Sequence, residues 1–150
     1  MKMYIETALN VQVANWSVLY TKLHHYHWYV KGPLFFTLHV KFEELYNEAA
    51  TVVDDFAERI LAIGGKPAAS FKEYLEIATI EEAKSGLTAE QMVESLVKDY
   101  KQIAGELKKL IALAEDNHDY GTADMATTLV ENVEKTIWML SALLAVPVTQ

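Results

Sequence analysis

Residues 37–67, TLHVKFEELYNEAATVVDDFAERILAIGGKP, carry two superimposed patterns, and together these decide the fold and the chemistry. Leu38, Phe42, Leu45, Ala49, Val52, Phe56 and Ile60 recur at spacings of three and four, an apolar stripe that an α-helix buries. His39, Glu43, Asp54 and Glu58 lie roughly 100° to 200° around the helix from that stripe, at about 100° per residue. They therefore point away from the core that their own helix builds. Tyr46, Ala50, Ala57 and Leu61 share this outer face, and solvent suits them poorly. The outer face predicts an interface with ligands embedded in it.

One straight helix cannot join its two polar pairs. At 1.5 Å per residue, His39 and Asp54 stand roughly 22 Å apart along the axis. A second copy laid antiparallel, with a two-fold axis between Glu48 and Ala49, exchanges the ends. His39 then meets Glu58 of the partner subunit, and Glu43 meets Asp54 of the partner subunit. Two identical clusters form, as an isologous interface requires. The alanines near the dyad allow close approach, and carboxylates gathered there without a cation would be costly. This spacing predicts a metal site that only a dimer completes.

The rest of the chain reads as further helices, and no segment reads as a strand. The first runs from about Tyr4 to Val30, with Leu9, Val13, Trp16, Tyr20, Leu23, His27 and Val30 on one stripe. Gly32-Pro33 interrupts it. The second runs from about Thr37 to Ile63 and stops at Gly64-Gly65 and Pro67. A long connector follows. Ser70 with Glu73 and Thr79 with Glu82 have capping-box spacing, and a short helix is expected near Phe71 to Ile77. A third long helix starts after Thr88, with Gln91 in capping position. Asp116 to Gly121 reads as a polar loop, and Thr122 as the cap of the fourth long helix. Four long helices with one long central connection fit a bundle with a crossover, the ferritin-like arrangement, as one domain over residues 1–150.

Folding the first two helices antiparallel about Gly32-Pro33 brings His27 and His39 to the same bundle end. The expected pocket has two imidazoles from one chain, two carboxylates from its mate, and Glu43 nearby. Mixed nitrogen and oxygen ligands with vacant positions suit iron(II) better than calcium or a structural zinc. The chain has no cysteine, so thiolate sites and disulfides are excluded. Its net charge of −8 attracts cations and repels phosphate backbones. The longest apolar run, residues 137–146, is too short to span a bilayer, and MKMYIETALN lacks a signal-peptide core. A cytoplasmic protein without membrane contact is expected.

His27-Trp28-Tyr29-Val30-Lys31-Gly32, then Leu38-His39 and Glu43, resembles the first signature of the Dps-type mini-ferritins. Asp54-Asp55-Phe56-Ala57-Glu58-Arg59, running on to Gly64-Gly65-Lys66-Pro67, resembles the second. The resemblance implies a hollow twelve-subunit shell with ferroxidase sites at its dimer interfaces. Iron(II) is oxidised there, with hydrogen peroxide favoured over dioxygen, and ferric mineral collects inside. It also implies that His27 and His39 are ligands from one subunit and Asp54 and Glu58 from the other. Glu43 stands where relatives often carry an aspartate that holds a second iron. Acidic three-fold pores of the family point to Asp124, and less directly to Asp119, for iron entry.

Other readings are weaker. Many relatives bind DNA through a lysine-rich N-terminal arm; here Lys2 is the only basic residue before Lys22, and VPVTQ at the other end carries none. DNA is thus not an expected partner, although a nucleoid-binding cage is the competing function. A haem ligand at the dyad would be methionine or histidine, and Glu48-Ala49 supplies neither, so no haem is expected. Glu115 and His118 form an isolated ExxH, where a di-iron bundle uses two. His24 reads as a core or ligand-supporting group and His25 as surface. Trp28 reads as packing, with interception of stray oxidising equivalents as a second role.

Overall fold

The computed structural model describes residues 2–145; Met1 and residues 146–150, including the VPVTQ segment discussed above, lie outside them. The elements are α1 (Lys2–Tyr29), α2 (Phe35–Ala62), α3 (Phe71–Ile77), α4 (Ala89–Asp116) and α5 (Tyr120–Leu143). No strand occurs among the described residues. They form two compact units, residues 2–89 and 90–145.

In the first unit α1 packs along α2, with α3 against α1. His27 meets His39 at one end of the pair, and Asn10 meets the segment after α2 at the other, so the two helices run antiparallel. Residues 12–16 of α1 are all buried, so burial in this stretch is not confined to one stripe. Its buried polar groups are satisfied: Trp16 Nε1 donates to Gln12 Oε1 at 3.2 Å. On α2 the buried set is the expected stripe, Leu38 through Ile60.

Three α1 side chains hold down the connector. Asn10 Oδ1 accepts from Ala68 N at 2.8 Å, while its amide donates to the Lys66 carbonyl. Asn15, fully buried, accepts from Thr79 N at 2.7 Å and donates to Thr79 Oγ1 at 2.9 Å. Lys22 Nζ donates to the Glu81 carbonyl at 2.9 Å. Ser70 caps α3 as expected, its Oγ accepting from Glu73 N–H at 3.2 Å, while Glu73 Oε1 accepts from the Ser70 hydroxyl and from Ala69 N–H rather than from Ser70 N–H. The Thr79/Glu82 spacing starts no helix. Asn15 takes the Thr79 backbone and hydroxyl, so neither remains to cap one.

Helix ends follow their local chemistry. Gly64, at φ +86°, closes α2, with Gly65 N–H bonded to the Ile60 carbonyl and Gly64 N–H to that of Leu61. In the second unit the same paired bonds close α4: Asp119 N–H to the Ala114 carbonyl and His118 N–H to that of Glu115. Here the left-handed position is held by His118, at φ +58°. Two expectations change as a result. The loop between α4 and α5 is only residues 117–119, and the cap of α5 is Asp119, whose carboxylate accepts from Thr122 N at 3.1 Å and Thr122 Oγ1 at 2.6 Å. Thr122 is the capped residue, not the cap. Lys108 and Glu134 join α4 to α5 through a 2.9 Å ion pair.

A histidine at φ +58° has a Cβ where glycine has none, which costs about 1 kcal/mol or more. His118→Gly is expected to stabilise the fold by roughly 1 kcal/mol, read as a rise in the thermal or urea midpoint. An unchanged or lowered midpoint would contradict this account of the α4–α5 turn.

Candidate metal centre

His27, the third residue from the end of α1, and His39, the fifth of α2, are locked to each other. His27 Nδ1 lies 2.6 Å from the His39 carbonyl oxygen, and His39 Nδ1 lies 2.8 Å from the His27 carbonyl oxygen. A carbonyl only accepts, so both rings carry a proton on Nδ1, and in the neutral rings both Nε2 lone pairs are left for a ligand. Backbone carbonyls orient metal-binding histidines in this way. The two rings stack at 3.8 Å with 10° between planes. Phe35 stacks on His39 at 4.9 Å, and Tyr46 meets His27 edge-on at 5.3 Å. His27 is buried and His39 half-buried.

Glu43, one turn beyond His39, places Oε1 3.8 Å from His27 Nε2. The structure therefore gathers two imidazoles and one carboxylate at one end of α2. At the other end Asp54, Asp55 and Glu58, all exposed, bring one carboxylate oxygen each within 4.8 Å of one another. This is the one group of three or more metal-ligating side chains that close among the described residues. Asp55 was not singled out from the sequence; its signal is the i,i+3 spacing to Glu58, which adds a third acid to the pair already chosen. Within one chain the two halves stay at opposite ends of the helix.

The remaining candidates fall differently. Both Asp119 carboxylate oxygens are engaged by Thr122, whereas Asp124 is exposed. His118 sits at the α4 terminus with Nδ1 3.1 Å from the Tyr120 hydroxyl, so the ExxH has a structural explanation. His24 is half-buried, with Nδ1 donating to the Tyr20 carbonyl at 3.0 Å. Its ring stacks on Tyr46 at 3.8 Å. Trp28 is exposed and makes its closest ring contact with His24, at 5.2 Å.

Mid-way along α2, Glu48 is half-buried and its Oε1 has no partner. Burial pushes its pKa up, against the opposing pull of Lys41. Raised above its unfolded value, the group lets the native state bind a proton more readily than the unfolded chain does. A penalty for the charged form thus grows as pH rises through the carboxylate range.

The profile of the ferritin-like domain family matches residues 6–146. Over 136 residues the chain is 60% identical to DNA protection during starvation protein 2 of Bacillus anthracis, covering 91% of this chain and 93% of that protein. It is 58% identical over 137 residues to general stress protein 20U of Bacillus subtilis, covering 91% and 94%. Among solved structures, a Dps protein from Bacillus brevis superposes with a TM-score of 0.94 at 50% identity, covering 95% of this chain and 96% of that one. Dps from Listeria innocua soaked with zinc gives 0.94 at 40% identity, covering 97% and 99%. The fold is thus the expected all-α, ferritin-like class, four long helices with a short one between the second and third. The chain belongs to the Dps-type mini-ferritins of the ferritin-like family. No helix of the described residues is long and apolar enough to cross a membrane.

Two outcomes are expected. Nitrogen-15 NMR of the metal-free protein, above the imidazole titration range, should show Nδ1–H tautomers for His27 and His39; an Nε2–H signature for either would refute the reciprocal lock. Glu48→Gln should raise the melting temperature at neutral pH, with the gain disappearing as pH falls below the carboxylate range. A gain independent of pH would point away from a buried charge.

Proposed function

We propose that this protein is an iron-storing ferroxidase that oxidises iron(II), preferentially with hydrogen peroxide, and stores ferric mineral within a closed shell. One observation carries the reading. α2 has potential metal-ligating side chains near each end, and both groups face the same side of the helix. Phe36, His39, Val40, Glu43, Ala50, Asp54, Ala57, Glu58 and Leu61 span about 100° of its circumference. Phe36 is 83% exposed, Leu61 60% and Val40 54%, too much apolar surface at one face for solvent.

A dyad between Glu48 and Ala49 pairs these residues by chemistry. Phe36 takes Leu61 of the partner subunit, Val40 takes Ala57 of the partner subunit, and the His27/His39/Glu43 end takes Asp54 and Glu58 of the partner subunit. The apolar pairs close the rim while the polar pairs meet inside. The two Nε2 atoms and the carboxylates would then hold iron(II) with positions left open to the oxidant. Two iron(II) ions each give one electron to one peroxide molecule. Its O–O bond breaks and, with two protons, two waters form, so no hydroxyl radical is released.

We take residues 1–150 as one ferritin-like domain, since a single family match crosses both units. The shell is a dodecamer built from these dimers, in the cytoplasm. Iron enters past acidic side chains near the start of α5, a task that falls to Asp124 because Asp119 is committed to Thr122. DNA protection, named for the relatives, follows here from removing iron and peroxide; a net charge of −8 opposes contact with the phosphate backbone.

Subunit complementation tests the shared site. His39→Ala and Asp54→Ala shells are each expected to lose at least about tenfold in initial iron(II) oxidation rate, by stopped-flow absorbance, while remaining assembled. Shells co-assembled from both variants regain one intact site in every mixed dimer, about a quarter of all sites for random pairing. If co-assembly restores nothing, the site does not span two subunits.

A further inference from the structure

The outward side of α4 carries a charge pattern unlike the rest of the chain. Lys98, Lys101, Lys108 and Lys109 are all exposed and fall within about 100° of one another around the helix. Four of the chain's 13 lysines and arginines thus sit in residues 98–109, while all but two of its 21 aspartates and glutamates lie elsewhere. Those two are Asp99, which is buried, and Glu106, which is half-buried. The surface of this stretch is therefore cationic on a chain of net charge −8. At its middle a notch of about 310 Å³ opens between α4 and α5. Buried Ala104 and Ile137 give it an apolar lining, and Lys101 and Lys108 stand on either side, Lys108 paired with Glu134. Gly105 keeps the notch open. A Cβ there would meet nothing within 4 Å among the described residues, so no contact inside the chain requires glycine. Glycine nonetheless costs a helix stability relative to alanine. Trp138 on α5, one turn beyond Glu134, is 56% exposed.

We infer that this face of α4 docks a second copy of the chain, outside the pair formed through α2, by taking an acidic side chain of that copy into the Gly105 notch. The chemistry of the notch selects the occupant. An aliphatic stem laid on Ala104 and Ile137, with its carboxylate between Lys101 and Lys108, matches a glutamate. A nucleic-acid phosphate has no such stem to bury. An exposed tryptophan beside a concave, charge-rimmed patch is also the anatomy of a protein contact. This chain is itself a complementary partner, since its acids lie almost wholly off the lysine strip. The contact joins two different patches, so it is heterologous and adds copies beyond a dimer. None of these residues belongs to the proposed ferroxidase site, so docking and iron oxidation stand or fall separately.

Electrostatics gives such a contact a signature. Copies of net charge −8 repel at long range, while the notch attracts only at contact. Screening lengths of about 30, 10 and 3 Å at about 0.01, 0.1 and 1 M salt separate the two effects. Low salt leaves the long-range repulsion in force, and high salt weakens the contact pair. Association therefore peaks between them.

Sedimentation velocity of the assembled protein at those three salt concentrations tests this. The wild type is expected to show its largest weight-average sedimentation coefficient at the middle concentration. Lys101→Glu/Lys109→Glu reverses the charge and Gly105→Leu fills the notch; each is expected to cut the fraction of larger species there by at least about twofold. At the highest salt, where the contact is screened, Gly105→Leu is expected to melt no lower than the wild type. A lower melting temperature there would assign the notch to the chain's own packing and overturn the inference. Identical sedimentation of the wild type and both variants at every salt would do the same. So would a gel shift of duplex DNA that the charge-reversed variant loses, if the wild type shows no salt-dependent association of its own; the strip would then belong to a phosphate backbone.

Discussion

Two short hydrogen bonds between the end of α1 and the start of α2 fix what the rest of the molecule can do. Each histidine donates its Nδ1 proton to the other's backbone carbonyl, at 2.6 and 2.8 Å. The His27 carbonyl is among the last of α1, where the helix offers no internal N–H, so His39 satisfies an orphan acceptor while orienting itself. The same pair of bonds makes Nδ1 the donor nitrogen of both rings, stacks them, and in the neutral rings leaves both Nε2 lone pairs for a ligand. Gly32, at φ +99°, lets the chain reverse within the few residues that this register permits.

With the imidazoles fixed at one end of α2, helix geometry decides the rest. A rigid rod with a rise of about 1.5 Å per residue keeps Asp54 and Glu58 well away from them. Neither bending nor side-chain reach closes such a gap. A two-fold partner does so at no conformational cost to either chain, which is why ligands at both ends of one exposed face favour a shared site over a solvated one.

Legibility in the sequence divides along physical lines. α2 was readable because its buried stripe and its polar face have the same period with different phase, and the structure keeps both. α3 was readable because Ser70 and Glu73 act locally, Ser70 Oγ on the Glu73 N–H and the Glu73 carboxylate on the Ala69 N–H and the Ser70 hydroxyl. The α4–α5 turn was misread because its left-handed residue is His118 rather than glycine, so the usual stop signal is missing and Asp116 joins the helix. Thr79 failed as a cap because Asn15, 64 residues away, reaches its backbone first. The Tyr20–His24–Tyr46 cluster was invisible for a related reason. Its contacts depend on how far α1 is rotated against α2, and periodicity within either helix carries no information about that angle.

The two halves of the proposed site also differ in stiffness, and the difference suits the chemistry. The imidazoles are held by hydrogen bonds and by Phe35, Tyr46 and each other, so they present nearly fixed nitrogen donors. Asp54, Asp55 and Glu58 are carboxylates on a helix surface, exposed in the single chain. Neutral imidazole suits iron(II), and the harder iron(III) favours carboxylate oxygen. In the proposed site, oxidation would thus shift preference from the imidazoles toward the carboxylates. A site built only of locked histidines would hold its product; one built only of exposed acids would not place the substrate. In the proposed site, imidazoles with Glu43 from one subunit and further carboxylates from the other would each be held where their own fold supports them.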